Sequence, residues 1–109
     1  MEYKATIELV NEGTTFFYPD VLKLIKLVDE QKSVKAAANI MKISAAKAWK
    51  MIRTVEAAIG ETAVFKARNA GADTYLVHIS PACRDLVAKY TEFEKKSQEA
   101  VKKVYGQIF

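Results

Sequence analysis

The sequence predicts a mainly α chain with a small β component, an α+β domain, and three observations carry that reading. Two serine-capped, alanine-bearing helical stretches follow each other closely at 34–41 and 45–59. Two short runs rich in β-branched and aromatic residues, AVFKAR (63–68) and TYLVHI (74–79), flank the loop NAGAD (69–73). From Ser80-Pro81 onward, apolar residues recur every three or four positions almost to the end.

In chain order, YKATIELV (3–10) alternates loosely between polar and apolar residues and predicts a first strand. Asn11-Glu12-Gly13 is a turn signal, and TTFFY (14–18) pairs back as a short second strand. Pro19-Asp20 opens a helix, because proline fits a first turn and an acid there suits the helix dipole. Its apolar stripe is Val21, Leu22, Ile25, Leu27 and Val28, and it ends near Gln31. Ser33 caps the second helix, Lys42-Ile43 break the pattern, Ser44 caps the third helix, and Gly60 stops it. After the two strand-like runs, Ser80 caps a final helix with Pro81 as its first residue, running to about Tyr105. Two short helices joined by a tight turn and followed by a two-stranded hairpin give the order of a winged helix-turn-helix. One domain is expected. Residues 1–18 would supply N-terminal strands, 19–60 the first helix and helix-turn-helix, 61–79 the wing, and 80–109 a long C-terminal helix.

A chain of 109 residues, half hydrophobic and 28% charged, suits one globular domain with a modest core. No apolar run approaches the roughly 18–20 residues that span a bilayer, so no membrane partner is expected. The start, MEYKATIELVNEG, lacks the basic stub and apolar block of a signal peptide. A single cysteine, Cys83, excludes an internal disulfide, and the expected location is cytoplasmic. The net charge of +4 is unevenly spread. Residues 1–31 carry three lysines against six acids, 32–68 carry eight cations against two acids, and 69–109 carry six against five. The middle third therefore holds the positive field, as in a chain that meets an anionic partner through one local element.

Within that third, Ala37 and Ala38 allow the second and third helices to approach closely. Val34, Met41, Ile43, Trp49, Ile52 and Val55 are expected to fill the core between them, with Trp49 as a buried anchor. On the other side of the third helix, Lys47, Lys50, Arg53 and Thr54 share a face, and no acid occurs between Lys32 and Arg53. Ordinary solvated helices interleave acids at i,i+4. Such a face fits the major groove of duplex DNA: long cations neutralise phosphates, while short Ala45 and Ala46, next to Ser44, permit close approach to base edges. Lys32, Lys35, Lys66 and Arg68 are placed for phosphate contact.

The stretch from Ser33 to Glu56 resembles the N-terminal DNA-binding domain of ModE-type molybdate-responsive regulators, a LysR-like winged helix-turn-helix. The likeness rests on S-x-x-x-A-A (Ser33, Ala37, Ala38), the turn at Met41, Ile43 and Ser44, K-A-W (Lys47 to Trp49) and V-E (Val55, Glu56). It continues through Gly60 and V-F-K (64–66). The resemblance implies a homodimeric, DNA-binding transcription regulator whose third helix enters the major groove, whose hairpin is the wing and whose long helix makes the dimer. Ala45 stands where the family usually has an aromatic, Lys42 where its turn usually has glycine, and the wing is shorter, with Arg68 as main cation and Asp73 opposing it. No molybdate site is expected in these residues.

A final helix of about 25 residues would be ~37 Å long, more than a small domain needs to cover its own core. Leu86, Tyr90, Phe93, Val101, Val104 and Ile108 lie close to a heptad seam and are the expected dimerisation residues; the alternative is a helix packed wholly on its own domain.

No phosphate loop, nucleophile elbow or zinc motif occurs, so no enzyme, metal or cofactor is expected. His78 is the only histidine and has no ligand partner at metal spacing. Asp29 and Glu30 diverge around a helix and do not form a catalytic pair. Two other functions compete with DNA binding: a protein-interaction module reading an acidic partner, and a redox-sensing regulator acting through Cys83 in the first turn of its helix.

Overall fold

The computed structural model describes residues 1–68 and 75–109. It is an α+β chain of eight elements: β1 (Leu9–Asn11), β2 (Thr14–Phe17), α1 (Pro19–Gln31), α2 (Val34–Met41), α3 (Ala45–Ile59), β3 (Val64–Arg68), β4 (Tyr75–Ile79) and α4 (Pro81–Ile108). The predicted turn at 69–73, with Asp73, and the strand start at Thr74 lie outside the described residues.

The three serines do what their positions predict. Each side-chain oxygen accepts the backbone N–H three residues on: Ser33 from Ala36, Ser44 from Lys47 and Ser80 from Cys83, at 3.0–3.1 Å. The helix ends share one device. Lys32, Lys42 and Gly60 each take the left-handed conformation past their helix, with φ of 55°, 59° and 71°. At Lys42 the Ile43 N–H also reaches back to the Ala38 carbonyl at 3.0 Å, which closes a Schellman turn. A side chain there costs energy that glycine avoids. Lys42→Gly is therefore expected to raise unfolding free energy by about 1 kcal/mol, read from denaturant midpoints.

Both small sheets are antiparallel hairpins. In the first, Asn11 pairs with Thr14 and the loop is Glu12-Gly13, both at positive φ, the requirement of a type I′ turn. In the second, Val64 pairs with Ile79 through to Arg68 with Tyr75. This hairpin is tied to the helices at two points. The Val77 N–H bonds the Lys32 carbonyl at 3.0 Å, and the Ala63 N–H bonds Glu56 Oε2 at 2.8 Å. The second bond gives Glu56 a structural role, fixing the passage from α3 into β3.

The core is built where these elements meet. Val21, Leu24, Ile25 and Val28 of α1 meet Val34, Ala37 and Ala38 of α2, and Ala48, Ile52 and Val55 of α3. Leu24 completes an i, i+3, i+4, i+7 stripe and lies deeper than the expected Leu22 and Leu27, which are half-buried.

Three expectations need correction. Among the described residues, 3–8 pair with no strand; β1 begins only at Leu9. The alternation was real, since Ala5, Ile7 and Leu9 turn inward, but helix side chains replace the partner strand. The Tyr90 hydroxyl donates to the Ile7 carbonyl at 2.8 Å, and Gln98 Nε2 donates to the Ala5 carbonyl at 2.7 Å. Secondly, α4 continues to Ile108 rather than stopping near Tyr105. At 1.5 Å per residue its 28 residues run about 42 Å, and the protein is elongated, 59 × 27 × 24 Å.

The expected seam on α4 also splits. Tyr90 is 1% exposed, with its ring 4.8 Å from that of Phe17, and Leu86 packs half-buried on the same core. Both face inward because β2 and the extended N-terminus occupy that side. Phe93, Val104 and Ile108 are exposed and Val101 is half-buried.

Candidate nucleic-acid interface

The α3 helix has one buried and one open side. Ala48, Ile52 and Val55 are fully buried, while Ala45, Ala46, Lys47, Lys50 and Arg53 are exposed. Ser44, also exposed, caps the open end. Thr54 is half-buried, and its hydroxyl donates to the Lys50 carbonyl at 2.8 Å, so it is less available than the sequence implies.

Trp49 is displaced from its expected place. It is half-buried at the edge of the core, while Ala48 is fully buried in the same cluster as Ala37 and Ala38. A small side chain there lets α2 and α3 approach closely, and an indole would hold them apart. Trp49 instead supports the open face: the Arg53 guanidinium lies over its ring, 5.9 Å from the centroid. Sequence reasoning missed this pair, although Ala48, Ile52, Val55 and Ile59, at i, i+4, i+7 and i+11, already describe a core stripe that leaves Trp49 beside it.

The cations of α3 differ from those of α4. Among the described residues, Lys47, Lys50 and Arg53 make no ion pair, while on α4 Lys89 pairs with Asp85 and Lys96 with Glu92. The one acid of α3, Glu56, is turned toward the Ala63 N–H. Glu12 lies at the far end of the helix, beside Ala57 and Ala58.

The remaining predicted cations differ among themselves. Lys35 and Lys66 are exposed. Lys32 is half-buried, with Nζ 3.4 Å from Asp29 Oδ1, which draws its ammonium group toward that carboxylate. Arg84 holds the same carboxylate with both terminal nitrogens, at 2.9 and 3.2 Å, and joins α4 to α1. That hydrogen-bonded guanidinium, aided by Lys32, keeps Asp29 below the usual carboxylate range despite some desolvation. Arg68 is exposed at the end of β3.

The N-terminal hairpin was not expected here. Its second strand lies along α3, and the two enclose a groove that opens beside Lys47 and Lys50.

Cys83 is fully buried, and burial pushes its thiol up to about 11. A thiol of that kind stays protonated at neutral pH, the opposite of a reactive sensor. His78 stacks on Phe65 with ring centroids 5.7 Å apart. Among the described residues, no three His, Cys, Asp or Glu come together, and no helix is long and apolar enough to cross a membrane.

No protein-family model matches the chain, and no curated protein matches it.

Proposed function

We propose that this chain is a homodimeric, DNA-binding transcription regulator of the winged helix-turn-helix class. Within that class it is read as a ModE-like, LysR-like domain acting in the cytoplasm. The observation that carries the reading is the open face of α3, where Lys47, Lys50 and Arg53 stand exposed and without ion-pair partners among the described residues. Nearby acids would lower the affinity of such a face for phosphate; here the helix's own acid is engaged elsewhere.

In this reading α3 lies in the major groove with its N-terminal turn toward the bases. Ser44, Ala45 and Ala46 allow close approach, Lys47 and Lys50 reach base edges or phosphates, and Trp49 holds Arg53 in place. Lys35 and Lys66 contact phosphate on either side, Arg68 extends the β3–β4 hairpin as a wing, and Lys32 and Thr54 contribute less. Dimerisation falls to the exposed part of α4, at Phe93, Val101, Val104 and Ile108, since Leu86 and Tyr90 serve the domain's own core.

Selection of bound sequences from a random duplex pool tests the assignment. Enrichment of a pseudopalindrome with half-sites about 10 bp apart is expected, the spacing of two recognition helices one DNA turn apart. A pool that fails to enrich would remove the function, and a single asymmetric half-site would remove the dimer.

A further inference from the structure

The groove between β2 and α3 has a volume of about 560 Å³, within the range of sites that take small ligands. Its chemistry is divided. Phe16, Tyr18 and Met51 form an apolar, largely aromatic wall, all three half-buried, while Lys47 and Lys50 stand at the rim. Among the described residues, no acid lines it. Thr15 adds an exposed hydroxyl on the β2 side. Apolar surface between a hairpin and a helix is ordinarily covered by the fold itself; here it is open, beside two ammonium groups with no ion-pair partner among the described residues.

We propose that this groove binds a small aromatic carboxylate, with the ring against Phe16, Tyr18 and Met51 and the carboxylate between Lys47 and Lys50. The two lysines are three residues apart on one helix face, so a single carboxylate can meet both ammonium groups. A neutral aromatic would gain only the wall, and a small inorganic anion only the rim. The occupant neutralises two of the three cations that α3 offers to DNA, so ligand and duplex exclude each other. That regulatory consequence rests on the DNA-binding reading; the groove's ligand chemistry does not.

The test titrates the full chain, labelled with ¹⁵N, with 2-naphthoate, and uses 2-naphthalenemethanol as the uncharged control. Saturable shifts centred on the amides of Thr15, Phe16, Tyr18 and Met51 are expected, with the alcohol binding at least about ten-fold more weakly. Lys47→Gln/Lys50→Gln, two exposed changes that leave the core intact, should weaken naphthoate to the level of the alcohol. No saturation up to about 5 mM, equal binding of acid and alcohol, or shifts centred on Phe93 and Val104 of α4 would each overturn the site. A second arm follows release of fluorescent duplex by naphthoate, with half-release expected near the Kd from the NMR titration. Naphthoate binding in a chain that ignores DNA removes the DNA reading and leaves the site standing. DNA binding without naphthoate binding removes the site alone, and simultaneous binding of both removes the competition.

Discussion

If α3 meets DNA as proposed, changing Lys50 and Arg53 together to alanine is expected to lower affinity for duplex DNA by about ten- to a hundred-fold at moderate salt. Each cation that meets a phosphate releases counterions, so the log–log salt slope should also become shallower by about 2 per protomer, or about 4 for the pair. Both residues are exposed on α3 and neither belongs to the core stripe, so the far-UV spectrum and melting temperature should hardly move. Anisotropy of a labelled duplex measures the effect. Trp49→Ala provides a graded comparison. It leaves the charge intact but removes the ring beneath Arg53, and should cost less than losing the guanidinium.

The second large effect is on stability. Tyr90→Ala is expected to cost about 3–5 kcal/mol, because it empties a fully buried aromatic site against Phe17 and unties the extended N-terminus. Tyr90→Phe keeps the ring but leaves the Ile7 carbonyl without its donor, and should cost about 1–2 kcal/mol. The hydroxyl also gives a pH signature. Burial, with help from the Glu94 and Glu8 carboxylates, pushes it up to about 12, above the ordinary value near 10. The fold therefore stabilises the protonated phenol. That contribution is whole below pH 10 and is lost as pH rises toward 12, and the part due to Tyr90 is the part absent from Tyr90→Phe. Chemical denaturation of both proteins across that range measures it.

Much of the fold could be read from local signals, because its boundaries are set by local chemistry. Ser33, Ser44 and Ser80 each cap the helix they precede, and Gly60 ends α3 in the conformation that favours glycine. Readings that depend on a partner elsewhere in the chain fared worse. Alternation at 3–8 correctly indicates an extended segment with one inward side, but nothing local shows that Tyr90 and Gln98, over 80 residues away, replace a neighbouring strand. The spacing on α4 marks an apolar stripe without saying which part of it the domain itself covers; β2 and the N-terminus decide that at Tyr90.

The candidate site was legible in its charge and less so in its surroundings. Lys47, Lys50 and Arg53 fall on the open side because the acid-free pattern and the core stripe point the same way. Trp49 was misplaced because size alone suggested an anchor, while the approach of α2 and α3 needed the smaller Ala48. The groove beside β2 arises from two separate segments, residues 15–21 and 46–54, and no local pattern encodes it.

The most direct measurement of the central claim is the affinity of the unaltered chain for duplex DNA of random sequence, titrated with salt. If α3 and its flanking lysines meet phosphate, log affinity falls linearly with log salt, with a slope of about −4 or steeper for a protomer pair. Binding that is absent at low salt, or that ignores salt, would contradict the account.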